Sequence, residues 1–303
     1  MKVILFCKAK EKMNIEILTS QWSEHELLDS GNRRKLERFG NHVLVRSEPK
    51  AWWKPSLPES EWQKADAVND DSGRWIIGNR NPSREWLMKY GKITFQSRLT
   101  DMSKHVGIFP EQSPHWDWMT KKIADSGRKD IKVLNLFGYT GAATLAAASC
   151  GAGVTHVDAS KPSVSWARRN QELSKLETAP VRWIIDDAVK FVKREIRRNS
   201  KYDAIVMDPP SFGRGPDGEI WKAEDSISEF LDLCRQTLTD KPLFIILTMY
   251  NLEASSIMLG NIMKDTMKPH GGTVSVGELA LKEKSSERVL PMSIFSRWIN
   301  FSS

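Results

Sequence analysis

Cysteine is scarce in this chain: 303 residues include three, Cys7, Cys150 and Cys234, far apart and without metal-ligand spacing. That argues against a disulfide scaffold or a cysteine-held metal, and the three read as reduced thiols of a cytoplasmic protein. No apolar run approaches the roughly 20 residues needed to cross a bilayer, so neither a membrane partner nor a bound metal is expected. The opening "MKVILFC" has too short an apolar core for a secretory signal. Two phosphate-binding patterns are also missing. No strand is followed by G-x-G-x-x-G, and none by G-K-[ST], which leaves little case for a dinucleotide or a nucleoside triphosphate. What is present is ordinary globular composition, 40% hydrophobic and 27% charged. The net charge of +7 and isoelectric point near 9.2 suit a polyanionic partner, though they do not require one.

From about Ile131 onward, β-branched runs alternate with helical segments: "IKVLNLF" then "AATLAAASC", "GVTHVDAS" then "PSVSWARRNQELSKL", "VRWIIDD" then "AVKFVKREIRRN". "YDAIVMD" and "PLFIILTMY" continue the alternation, and "GTVSVGELAL" with "ERVLPMSIFSRWIN" closes it with no helix between. This predicts an α/β fold of five parallel strands, covered on both faces, with a terminal antiparallel hairpin. Residues 1–100 read differently, as short strands between Gly, Asn and Pro turns, with a long polar loop over "KAWWKPSLPESEWQKADAVNDDSG". Eight of the twelve tryptophans precede residue 120, which suits a small β-rich N-terminal domain for substrate binding. A domain over 101–303 would then follow, entered through a helix at "HWDWMTKKIADSG".

Chemistry collects at the ends of the strands, where open α/β sheets bind ligands. After the first comes a tight turn, Gly138-Tyr139-Thr140-Gly141, whose glycines allow positive φ and close ligand approach. After the second stands Asp158, whose two oxygens suit the two hydroxyls of a ribose. After the third stand Asp186 and Asp187, able to accept from an adenine amino group or, for at least one of them, to cap the next helix. In that order they fit an adenosine without phosphates. The fourth strand stops at "DPPSFGRG", because proline cannot donate to a sheet ladder.

With "NLFGYTG", "HVDAS", "IDDA" and "DPPSFGRG" in this order, the chain resembles class I S-adenosylmethionine-dependent methyltransferases. It is most similar to the bacterial enzymes that modify cytosine C5 or guanine N7 of large-subunit (23S) ribosomal RNA. The resemblance covers roughly residues 90–300 and implies a Rossmann-like sheet, S-adenosyl-L-methionine as cofactor and RNA as partner. It implies donor contacts from Asn135, Phe137, the glycine turn, Asp158, Ala159, Asp186, Asp187 and Asp208. "KHVGIFPEQSPHWDW" resembles the segment that closes over the methionine end, adding Phe109 and Gln112. Asp208, Pro209 and Pro210 resemble the acceptor corner of amino-group methyltransferases, where the Asp208 carboxylate and Pro209 carbonyl accept from a planar amine. Phe212 would stack on the acceptor base, worth about 1–3 kcal/mol. Tyr250 would form a second wall, or be an ordinary strand-end tyrosine. The family's RNA-binding module has no recognisable match in residues 1–90.

Cytosine C5 is a poor nucleophile and needs a cysteine adding at C6. That cysteine would stand where this chain has Ser211 or Thr248-Met249-Tyr250, and Cys150 and Cys234 read as core residues. The acceptor is therefore expected to be a base nitrogen. Arg33, Arg34, Lys35 and Arg38 at a turn, and Lys190, Lys193, Arg194, Arg197 and Arg198 on a helix, read first as solvated surface. Arg214, beside the acceptor corner in a flexible loop, is the better phosphate contact. The N-terminal tryptophans read as core before they read as base-stacking platforms. An acceptor on a protein or small molecule, or an RNA-binding protein without turnover, is the alternative.

Overall fold

The computed structural model describes residues 15–70, 72–78, 82–214 and 220–301. Its centre is an eight-stranded sheet. The parallel strands Lys132–Leu136, Gly153–Asp158, Val181–Ile185, Ala204–Met207 and Phe244–Met249 arise from the apolar runs. Lys132–Leu136 lies between Gly153–Asp158 and Ala204–Met207, so the chain reverses direction across the sheet beside the first strand's end. The terminal pair Thr273–Lys282 and Val289–Ile299 is antiparallel and joins the sheet through Phe244–Met249.

The eighth strand, Ile15–Thr19, differs from expectation. It falls within the stretch read as part of a small separate domain, yet pairs in parallel with Thr273–Lys282 at the edge of the large sheet. Gly277 makes the approach possible, since a β-carbon there would lie 1.9 Å from the Glu16 carbonyl oxygen. The remaining N-terminal strands do form a sheet of their own, His25–Gly31, Arg34–Phe39, His42–Ser47, Ala67–Asn69 and Trp75–Ile77. A hairpin of Glu85–Tyr90 and Ile93–Arg98 follows.

Helices cover both faces of the large sheet. Ala142–Ser149 and Ser113–Asp125 pack over one side, and Ala223–Gln236 and Ser256–Met267 over the other. Phe191, Phe230, Leu231, Met263 and Trp298 fill one layer, while Trp116, Met119, Leu145 and Phe244 fill the other. No helix among the described residues is long and apolar enough to cross a membrane.

Two expectations about basic residues change. Arg34–Phe39 is a strand, and the turn is confined to Asn32 and Arg33, both with positive φ, as in the two-residue hairpin turn that matches strand twist. Lys35 is buried against Glu37 at 3.6 Å and Glu48 at 3.4 Å, and the buried Arg46 grips Glu37 at 2.8 Å. Arg34 and Arg38 pair with Glu59 and Glu26. Much of this cluster is therefore spent holding the small sheet together.

Candidate active site

The first strand ends in a turn whose strain lies in unexpected places. Phe137 and Tyr139 carry positive φ, at 57° and 49°, while Gly138 does not. Gly138 is needed for space: a β-carbon there would fall 2.4 Å from the His156 ring. Gly141, at φ +85°, starts the next helix and lies against Ala167. Asp158 ties the turn down, its Oδ2 accepting from the Tyr139 N–H at 2.8 Å and its Oδ1 from the Ser160 N–H at 2.8 Å. Each oxygen keeps a further lone pair, and Asp158 lines the cleft in front of the turn. Burial pushes its carboxyl above the usual range, against the pull of those two N–H groups.

An inner hollow of about 70 Å³ and an outer cleft of about 470 Å³ share Phe109, Phe137, Tyr139 and Asp208 as walls. Gln112, Asn135, Gly138 and Thr140 line the hollow. Ala159, Asp187, Pro209, Pro210 and Tyr250 line the cleft. Residues scattered over more than a hundred positions are thus brought to one sheet edge. A larger hollow of about 820 Å³ in the small sheet, lined by Leu28, Leu36, Val43 and Leu57, contains none of the expected site residues.

Asp208 follows Ala204–Met207 at the floor of the cleft, where Gln112 Nε2 donates to its Oδ2 at 3.0 Å. Burial, and then the negative Glu111 beside it, pushes the Asp208 carboxyl well above its ordinary range. Glu111 is itself buried, and Tyr250 Oη donates to its Oε1 at 3.2 Å. Phe109 packs between Tyr139 and Tyr250, with ring centroids 5.6 and 5.7 Å away. The turn Pro110–Gln112 therefore carries three neighbours, Phe109, Glu111 and Gln112, into the site at once.

Other expected residues stand differently. Asp187 caps the helix Ala188–Arg197, accepting from the Lys190 N–H at 2.8 Å, and still lines the cleft. Asp186 pairs with Arg194 and accepts from the Asp187 N–H, and does not line the cleft. Gly141 serves the helix start and lines neither hollow nor cleft. The buried Asn135 donates to Thr144 Oγ1 at 2.8 Å, which in turn meets His156 Nδ1 at 2.9 Å. Phe212 is half-exposed at 53%, outside the cleft wall. The segment expected as a flexible loop has paired arms, Phe212–Arg214 against Ile220–Lys222, with its tip and the Arg214 side chain outside the described residues.

Three wall residues, and one buried acid beside Asp208, were not anticipated. Trp221 Nε1 donates to the Pro210 carbonyl at 2.6 Å and so fixes the proline corner. His105 packs at a tilt against Phe109, ring centroids 5.1 Å apart, its pKa lowered to about 4 by burial and by the cations Arg46, Lys104 and Lys35. Glu111 and Asn251 complete the set. In the sequence Trp221 stands in the basic-aromatic loop "FGRGPDGEIWK", and His105 and Glu111 stand in "KHVGIFPEQSPHWDW" without a signal of their own.

Of the cysteines, Cys234 is buried in Ala223–Gln236, with its thiol pushed up by burial. Cys150 is exposed, not core as expected, because it caps the far end of Ala142–Ser149, at the opposite edge of the sheet from the cleft. Cys7 lies outside the described residues.

Comparison with known proteins gives this geometry relatives. A family model described as S-adenosylmethionine-dependent methyltransferase matches residues 63–220. The crystal structure of the SAM-dependent methyltransferase from Agrobacterium tumefaciens is 45% identical and superposes with a TM-score of 0.90, covering 94% of this chain and 93% of that one. Ribosomal RNA large subunit methyltransferase K/L of Hahella chejuensis is 40% identical over 107 residues, 35% of this chain and 14% of that protein. Ribosomal RNA large subunit methyltransferase I of an Enterobacter species is 39% identical over 85 residues, 28% of this chain and 22% of that protein. The chain thus spans under a quarter of the length of these two relatives.

Proposed function

We propose a substrate and a reacting atom for this chain, which belongs to the S-adenosylmethionine-dependent methyltransferase family. The acceptor is a planar nitrogen of an RNA base, ribosomal RNA being the substrate. The carrying observation is the corner at Asp208: a half-buried carboxylate, braced by Gln112, followed by two prolines whose second carbonyl is held by Trp221. The RNA-modifying relatives support the substrate class.

The residues present fit the donor. The cleft offers Asp158 with spare lone pairs for a ribose and Asp187 at the far wall for an adenine amino group. Phe109, Phe137 and Tyr139 supply an apolar flank. When bound, S-adenosylmethionine supplies an electrophilic methyl on a sulfonium that is already a good leaving group. The chain's task is then orientation, which lowers such barriers by several kcal/mol. Asp208 and the Pro209 carbonyl accept hydrogen bonds from the acceptor N–H groups and aim the nitrogen lone pair. Phe109 and Tyr250 exclude water around it, and Glu111 keeps Tyr250 in place. No thiol stands within the described cleft to serve cytosine C5 chemistry.

The test is mass mapping of methylated nucleosides in ribosomal RNA from cells with and without the protein. Loss of one base-nitrogen methyl in its absence supports the proposal. Unchanged RNA, or a missing methyl on carbon, contradicts it.

A further inference from the structure

Trp52 is the one tryptophan of the twelve whose side chain stands in solvent, at 81% exposure. Tryptophan seldom pays such exposure without a partner, since its large apolar ring gains most from burial. The segment that carries it is firmly held. The Asn32 N–H donates to the Trp53 carbonyl at 2.7 Å, and the Arg33 N–H to the Ala51 carbonyl at 2.8 Å. Trp53 Nε1 donates to the Ser30 carbonyl at 3.0 Å, and Ala51 is buried. Gly31 lets Lys54 and Pro55 close down on the hairpin, since a β-carbon there would lie 2.4 Å from the Pro55 nitrogen. The exposed ring is thus presented on a fixed backbone.

Two cations share its backbone neighbourhood, Arg33 bonded to the residue before it and Lys54 two residues after it. Arg33 and Lys54 are exposed, and neither side chain makes an ion pair among the described residues, unlike neighbouring Arg34, Lys35 and Arg288. The segment also reaches towards the acceptor corner. Lys50, two residues before Trp52, donates through Nζ to the Met292 carbonyl at 2.5 Å, and Ile294, two residues further on, lies opposite Met249, the neighbour of Tyr250. Contact lengths and Cα spacing put Trp52 no more than about 35 Å from Tyr250, a span that several extended nucleotides bridge.

We propose that Trp52, with Arg33 and Lys54, is a stacking platform for a single-stranded segment of the RNA substrate whose target base enters at Asp208. This rests on the RNA reading above. An aromatic face takes any base, and the two cations contact phosphates without reading sequence.

The experiment titrates large-subunit ribosomal RNA and a single-stranded oligoribonucleotide into the full chain, followed by tryptophan fluorescence and methyl transfer. Trp52→Ala weakens RNA binding on the order of tenfold and raises KM, while Trp52→Phe retains much of the affinity and loses most of the fluorescence quench. Donor affinity by calorimetry stays unchanged in both. Replacing Arg33 and Lys54 by Ala flattens the slope of log K against log salt by about 0.7 per cation removed. Wild-type RNA binding and KM in Trp52→Ala overturn the platform and leave the acceptor reading standing. No RNA binding or methylation by the wild type overturns both.

Discussion

The role proposed for Asp208 sets opposing demands on its carboxyl. Burial and Glu111 favour its protonated form, while an amine acceptor needs an ionised oxygen to receive its N–H groups. Methyl transfer should therefore rise with pH through a limb well above the ordinary carboxylate range, and a pH–rate profile of kcat/KM reports it. Glu111→Gln removes the neighbouring negative charge, makes Asp208 easier to ionise, and moves that limb to lower pH. A limb that stays in place would show that Glu111 does not act on Asp208. Asp208→Ala deletes the acceptor altogether; transfer falls on the order of a hundredfold or more, with donor binding kept within a few-fold by calorimetry. Parallel loss of donor binding would assign Asp208 to the donor instead. Asp208 was legible because an aspartate, two prolines and an aromatic are contiguous. Glu111 was not, because its importance comes from Tyr250, 139 positions away.

At the scale of elements, local signals were readable and long-range pairings were not. The helix Ser113–Asp125 and the parallel strands follow from periodicity within ten or so residues. Ile15–Thr19 pairs with a strand some 260 residues later, and no local pattern marks that. Asp186 and Asp187 looked equivalent in sequence; the ion pair with Arg194 and the helix cap separate them in space. The glycines make the same point. Gly138→Ala forces a β-carbon into the His156 ring, which should cost about 1–3 kcal/mol and loosen donor binding, as melting and calorimetry would register. Gly277→Ala should lower the melting temperature by separating Ile15–Thr19 from Thr273–Lys282, with little change in donor affinity. An unaltered melting temperature would mean that the edge strand contributes little.

For the whole molecule, the positive charge is unevenly committed. Lys35, Arg34, Arg38 and Arg194 are tied to acids, whereas Arg33 and Lys54 have no acidic partner among the described residues, so the net charge alone says little about where a polyanion sits. The cysteines lie away from the cleft or outside the described residues, and replacing all three should leave transfer largely intact. The most direct measurement supplies deuterium-labelled S-adenosylmethionine and ribosomal RNA to the purified chain, then digests the RNA to nucleosides for mass spectrometry. A labelled methyl on a base nitrogen, absent with Asp208→Ala, is the predicted result. Label on a pyrimidine carbon, or RNA without label, would contradict it.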